Sequence, residues 1–232
     1  MGMLNRDRRQ GVDVATSVFG DLAGAIGDIK IDAVGQQHLW SHRPAVFFIN
    51  HQSALIDLVV TSRLLRDGFT FVAKKEIAQV PVIGPLFRMA DVAFLDRADR
   101  TKAIAALQPA VDRLRAGTSV VISPEGTRSV TPAVGPFKKG GFHLAMHAGV
   151  PIVPIVIRNA GEIMWRDAKI AQSGTIDVIV HPPIPTDGWT REDLDAAVAK
   201  VRQLYVDTLE DWPAAARAGQ NRRMPIDAAG GS

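Results

Sequence analysis

The chain has 232 residues, 47% of them hydrophobic and 22% charged, with a net charge of +3. This is a globular composition, and so small a charge, without the aromatic-plus-basic pattern of single-strand binders, argues against nucleic acid as a partner. The chain contains no cysteine, which excludes disulfides, thiolate catalysis and cysteine-ligated metals and suits a reducing compartment.

Arg6, Arg8 and Arg9 precede an apolar region, but Asp13, Asp21 and three glycines interrupt it, so it does not read as a signal peptide. No run reaches the roughly 18 apolar residues of a membrane span. A cytoplasmic protein is expected, resting peripherally on the cytoplasmic face of a membrane. Val12, Ala15, Val18, Phe19, Leu22 and Ile26 recur at helical spacing. They predict an amphipathic helix over 9–27 that packs on the domain, with membrane contact as the alternative. Residues 29–34 alternate as a half-exposed strand, and 45–49 form a buried one. Ser53 is placed to cap a helix over 54–66. Strands follow at 69–73 and 92–95, with a short helical turn opening at 74–76. The stretch from Asp99 predicts a helix that Pro109 kinks and Gly117 ends. Further strands are expected at 119–122, 150–157 and 176–180, with a helix ending near His147 between the first two. A last helix is capped by Thr190 and Asp193 and carries Leu194, Val201 and Tyr205 on its apolar stripe. Strands alternating with helices predict a single α/β domain with a largely parallel mixed sheet flanked by helices. The organisation expected is an N-terminal helix over 1–28, one domain over 29–212 and a mobile tail over 213–232.

Three polar clusters sit where strands hand over to the next segment: His51 to Asp57, Asp96-Arg97, and Glu125 to Arg128. The carboxyl ends of strands are where open α/β sheets bind ligands. A histidine with a nearby carboxylate makes a general base, because the acid orients the ring and stabilises its cation. Arginine in such loops suits bidentate recognition of phosphate. The residues therefore read as one base plus a phosphate clamp, acting on a hydroxyl of a phosphorylated substrate.

Several blocks then occur in a telling order: Asn50-His51-Gln52-Ser53 with Asp57, Lys75-Glu76 with Pro81 and Gly84, and Phe94-Leu95-Asp96-Arg97. Pro124-Glu125-Gly126-Thr127-Arg128-Ser129, Phe137-Lys138-Lys139-Gly140 and Val150-Pro151-Ile152-Val153-Pro154 follow. Across about residues 40–160 the chain resembles the glycerolipid acyltransferases of the lysophosphatidate acyltransferase (PlsC-like) type, and the fold implied is that of the glycerol-3-phosphate acyltransferases. The resemblance implies that His51 takes the proton from the free hydroxyl of 1-acyl-glycerol 3-phosphate. The hydroxyl then attacks an acyl thioester and gives phosphatidate. It implies that Asp57 orients His51 and that Arg97 and Arg128 hold the acceptor phosphate. Glu125, Gly126 and Thr127 would shape that loop, and Lys75 and Lys138 would add positive charge. It implies no cofactor and no metal, with acyl-CoA or acyl carrier protein as co-substrate, and lysophosphatidate and a membrane surface as partners.

One departure from the family pattern stands out. The family's usual spacing puts four residues between histidine and aspartate, and here Gln52 to Ile56 make five. One extra helical residue rotates a side chain by about 100°, so the dyad survives only if the turn before the helix absorbs the insertion. The spacing lends some support to a non-catalytic lipid- or acyl-CoA-binding protein on the same fold. Acylation of glycerol 3-phosphate or another lysophospholipid is the other alternative. His143 and His147 have the spacing of a metal pair, but no glutamate follows His143, and helix surface is the expected reading.

Overall fold

The computed structural model describes residues 2–74, 79, 92–95, 107–129, 131–165, 168 and 170–212. In chain order the elements are α1 (Gly2–Ile26), β1 (Ile29–Val34), a 3-10 turn (Gln36–Leu39), β2 (Val46–Ile49), α2 (Ala54–Leu65), β3 (Phe69–Lys74) and β4 (Ala93–Leu95). Then come α3 (Gln108–Arg115), β5 (Ser119–Ile122), α4 (Gly140–Ala148), β6 (Ile152–Ile157), a short α5 (Ala160–Ile163), β7 (Gly174–Val180) and α6 (Leu194–Glu210). The turn expected at 74–76 falls largely outside the described residues, as do the first part of the helix expected from Asp99 and the whole of the tail over 213–232. Within the described part of that helix, Pro109 sits in the first turn of α3, where its missing N–H removes no helical bond.

The described strands form one seven-stranded sheet in the order β1-β7-β6-β2-β5-β3-β4. β6, β2, β5, β3 and β4 are mutually parallel, while β7 runs antiparallel to β6 and β1 parallel to β7. The central strands β2 and β6 are apolar throughout and β5 is apolar after Ser119, and all three are buried at every position, as a sheet covered on both faces requires. Val46 and Phe48 point to one side, where they pack with Leu114, Phe142, Leu144 and Tyr205 from α3, α4 and α6. Phe47 and Ile49 point to the other, where Ile56, Val60, Leu64 and Leu65 of α2 meet them. Burying each such side chain stabilises the fold by about 1.5–3 kcal/mol. α4 crosses Phe48 so closely that a Cβ on Gly141 would come within 2.8 Å of the ring.

α1 packs on α2, but not by its apolar stripe. The contact is polar and small. Asp13 accepts the Gly68 N–H at 3.2 Å, Ser17 donates to the Arg66 carbonyl at 2.6 Å, and Asp21 pairs with Arg66 at 2.7 Å. Gly20 and Gly24 are buried against Ser62 and Arg63, where a Cβ would come within 2.9 and 2.7 Å of their side chains. The outer face of α2 offers Ser62, Arg63 and Arg66, so the polar side of α1 is the complementary one. Val14 (63% exposed), Ala15, Val18, Phe19, Leu22 (56%), Ala25 and Ile26 (85%) therefore face outward. The helix is thus packed on the domain, as expected, but with its hydrophobic face turned away from it. Among the described residues no helix is long and apolar enough to cross a membrane.

Candidate active site

β2 and β5 are adjacent parallel strands, so their C-terminal ends bring His51 and the loop from Ser123 to Arg128 side by side. His51 lies two residues past β2, in the non-helical segment that leads into α2. Ser53, extended at φ −137° and ψ 117°, takes the position before the helix. Its carbonyl accepts the Asp57 N–H at 2.8 Å. Its side chain makes no capping bond, which corrects the expected hydroxyl cap.

Asp57 falls in the first turn of α2 and points back to the histidine. Its Oδ2 lies 2.5 Å from His51 Nδ1. The five intervening residues are thus accommodated by the extended turn ahead of the helix, and the pair is in contact. The carboxylate side chain is 4% exposed and the imidazole 24%, leaving Nε2 as the ring nitrogen free to meet a substrate. Burial pushes the Asp57 carboxyl up to about 6, opposed by its bond to His51; Glu125 nearby raises it further and Arg128 lowers it. Its Oδ1 is buried without a hydrogen-bond partner.

The backbone of His51 is clamped on both sides. Its N–H donates to Glu125 Oε1 at 2.8 Å, and its carbonyl accepts the Ser129 N–H at 2.6 Å. Glu125 Oε2 accepts the Gly135 N–H at 2.8 Å. Both oxygens of this buried carboxylate are thus directed at backbone, and Glu125 stands behind His51 as a brace. Burial raises its pKa, while the two backbone N–H bonds oppose the rise. Gly126, at φ +70°, makes the tight turn after it and donates its N–H to the Ser123 carbonyl.

Thr127 is exposed and Arg128 half-buried at the rim of this loop, with Arg128 close enough to Asp57 to be felt by it. Lys138 is exposed, and its N–H donates to the Pro124 carbonyl at 2.8 Å, which places it beside the same loop. Its neighbour Lys139 pairs with Asp195 at 2.7 Å. Lys75 and Arg97 lie outside the described residues. His143 and His147 meet edge-to-face at 6.0 Å, and burial together with the neighbouring His147, Arg191 and Lys139 lowers the pKa of His143. Among the described residues no group of three or more His, Cys, Asp or Glu side chains could hold a metal.

Other residues that hold the site gave less signal in the sequence. Asn50, 3% exposed, forms a two-bond amide bridge with Ile157: Nδ2 donates to its carbonyl and Oδ1 accepts its N–H, both at 2.7 Å. It thereby extends the β2–β6 pairing one residue beyond the strand and fixes where His51 begins. Gln52 accepts the Gly161 N–H at 3.0 Å and donates to the Pro132 carbonyl at 3.2 Å, linking α5 to the loop over 129–136. Arg202 of α6 donates Nε to the Gly135 carbonyl and Nη2 to the Val134 carbonyl, each at 3.0 Å. Nothing in the spacing of α6 marked this arginine.

The acyltransferase family model matches residues 30–158. The 1-acyl-sn-glycerol-3-phosphate acyltransferase of Saccharomyces cerevisiae is 34% identical over 187 residues, 79% of this chain and 60% of that protein. The human 1-acyl-sn-glycerol-3-phosphate acyltransferase alpha is 33% identical over 192 residues, 82% of this chain and 68% of that protein. The chain spans about 60% of the length of several curated relatives it matches. A crystal structure of the 1-acyl-sn-glycerophosphate acyltransferase PlsC from Thermotoga maritima superposes with a TM-score of 0.72 at 26% identity, over 88% of this chain and 81% of that one.

Proposed function

Because the chain belongs to the acyltransferase family, we propose that it transfers a fatty acyl group from an acyl thioester to the free hydroxyl of 1-acyl-glycerol 3-phosphate, giving phosphatidate. The observation that carries this reading is the His51–Asp57 pair, held at 2.5 Å at the mouth of the sheet with one ring nitrogen free. His51 Nε2 removes the proton from the acceptor hydroxyl as its oxygen attacks the thioester carbonyl. Asp57 keeps Nδ1 protonated and stabilises the imidazolium. The tetrahedral intermediate collapses by breaking the C–S bond, and the departing thiolate takes the proton back from Nε2. The attack is direct, with no acyl-enzyme, and calls for no cofactor or metal; acyl-CoA or acyl carrier protein is the co-substrate.

Arg128 and Arg97 hold the acceptor phosphate, Lys75 and Lys138 add positive charge, and Glu125, Gly126 and Thr127 shape the loop that carries Arg128. The five-residue spacing, which lends support to a binding-only protein, is accommodated with His51 and Asp57 in contact, and that contact favours the transferase reading. The outward apolar face of α1 supports docking on the cytoplasmic face of a bilayer, where the acyl chains of both substrates reside.

The test is thiol release from palmitoyl-CoA in mixed micelles, with and without lysophosphatidate, and with mass analysis of the lipid product. Acceptor-dependent release with phosphatidate formed is the expected result. Release that depends only on glycerol 3-phosphate or another lysophospholipid would change the acceptor, and release only from acyl carrier protein would change the donor. No transfer with any of these pairs would end the reading.

A further inference from the structure

α6 lies outside the residues 30–158 matched by the family model, yet it grips both parts of the machinery around His51. Tyr205, fully buried, donates its hydroxyl to the Phe48 carbonyl at 2.7 Å, three residues before His51 on the strand that delivers it. One helical turn earlier, the Arg202 fork binds two consecutive carbonyls, those of Val134 and Gly135. The N–H of that same Gly135 binds Glu125 Oε2, and Glu125 Oε1 binds the His51 N–H. A single line of hydrogen bonds therefore runs from Arg202 through the loop and the buried carboxylate to the backbone of the base.

We infer that Arg202 is a positioning residue for His51, acting through the 134–135 peptide and Glu125 rather than by touching substrate. The inference rests on the acyltransfer reading for its kinetic consequence but not for its structural one.

The geometry asks for arginine. Two carbonyls at equal distance need two donors in a fixed plane, which a guanidinium supplies and an ammonium does not. There is no slack at the next step, because a Cβ on Gly135 would come within 2.9 Å of Glu125 Oε2. A shift of the 134–135 peptide must therefore move the carboxylate, and with it the His51 N–H. The charge of Arg202 also helps Glu125 stay ionised, the state in which it accepts two N–H groups. Among the described residues, His51, Asp57, Arg202 and Tyr205 are charged or titratable groups close enough to Glu125 to interact with it.

The experiment compares the full chain with Arg202→Met, Arg202→Lys and Gly135→Ala, in steady-state transfer and in the proton spectrum of the imidazole bound to Asp57. Displacement of a reacting group by a fraction of an ångström to 1 Å costs about ten- to a hundred-fold in rate. Arg202→Met should lose that much in kcat, with both KM values within about two-fold. Arg202→Lys should fall between the two. Gly135→Ala should show the same loss of kcat from the other side of the contact, and should stand in if Arg202→Met does not fold. The downfield proton on His51 Nδ1 should shift or broaden in both. Unchanged kcat in a folded Arg202→Met would overturn the inference, as would a loss of activity shared between kcat and KM and matched by a lower Tm with the imidazole proton unmoved. If the wild type transfers no acyl group, the acyltransfer reading fails by itself, and the imidazole proton alone decides: a shift in Arg202→Met upholds the positioning line, and no shift refutes it.

Discussion

Glu125→Gln is a sharp probe of the brace behind His51, because it keeps the shape of the side chain and changes only what it can accept. The carboxylate takes the His51 N–H on one oxygen and the Gly135 N–H on the other, both at 2.8 Å. A carboxamide can accept only one of them and must turn its NH2 toward the other, donor against donor. Losing one hydrogen bond to a buried charged group costs about 1.5–3 kcal/mol. Relief of burying the charge, seen in the raised pKa of Glu125, returns part of that, so a net loss of about 2 kcal/mol is expected. For a domain of this size that corresponds to a fall in Tm of about 4–8 °C. Activity should fall further than stability implies, because the freed N–H belongs to the catalytic base. A loss of kcat of about ten-fold or more is expected at a temperature where the variant is fully folded. Circular dichroism melting and thiol release measure the two quantities on one preparation. A Tm within 1–2 °C of wild type, on the scale set by that conversion, together with an unchanged kcat, would refute the claim that this carboxylate holds His51.

Other consequences follow from the same geometry. Asp57 must be ionised to hold His51, and burial raises its carboxyl to about 6, so kcat/KM should fall as pH drops through about 6; a profile flat down to pH 5 would contradict this. The effect on stability has the opposite sign. A carboxyl with a raised folded pKa takes up its proton in the folded state first, so the penalty from this group lessens as pH falls from 7 towards 5, and a pH series of melts on Asp57→Asn and wild type would isolate it. Asn50→Ala should leave the Ile157 N–H and carbonyl unpaired at a buried position and cost about 2–4 kcal/mol, measured by urea unfolding; a loss below 1 kcal/mol would remove the amide bridge from the account. Val18→Asp with Leu22→Asp should abolish sedimentation with anionic vesicles while leaving Tm nearly unchanged, since both side chains face outward and each apolar insertion contributes about 1.5–3 kcal/mol. Undiminished vesicle binding would reject the bilayer as the partner of α1, and a wild-type dimer broken by the same pair would assign that face to a second copy.

The central strands were legible because a doubly covered parallel sheet needs near-continuous apolar runs, and 45–49, 120–122 and 150–157 are such runs. The site was legible where chemistry is compressed into a short stretch, as in His51 to Asp57 and Glu125 to Arg128. What stayed hidden depends on long-range partners. Asn50 completes a strand pairing 107 residues away, and no local pattern distinguishes it from a turn asparagine. Arg202 sits among exposed and half-buried residues of an amphipathic helix, where an arginine is ordinary. The reversal of β7 against β6 leaves no mark in hydrophobic alternation. For α1 the periodicity was clear but its direction was not. A stripe of valines and leucines normally turns inward, and only the polar outer face of α2 explains why Gly20 and Gly24 make the contact instead.

The account turns on His51 acting as the base in acyl transfer, and the most direct measurement is lysophosphatidate-dependent thiol release by wild type against His51→Ala, with folding checked by circular dichroism. General base catalysis of this kind is worth about 10² to 10⁴ in rate. The account predicts robust release by the wild type and a loss of that size in a folded His51→Ala. Acceptor-dependent transfer that persists in His51→Ala at near wild-type rate would contradict it.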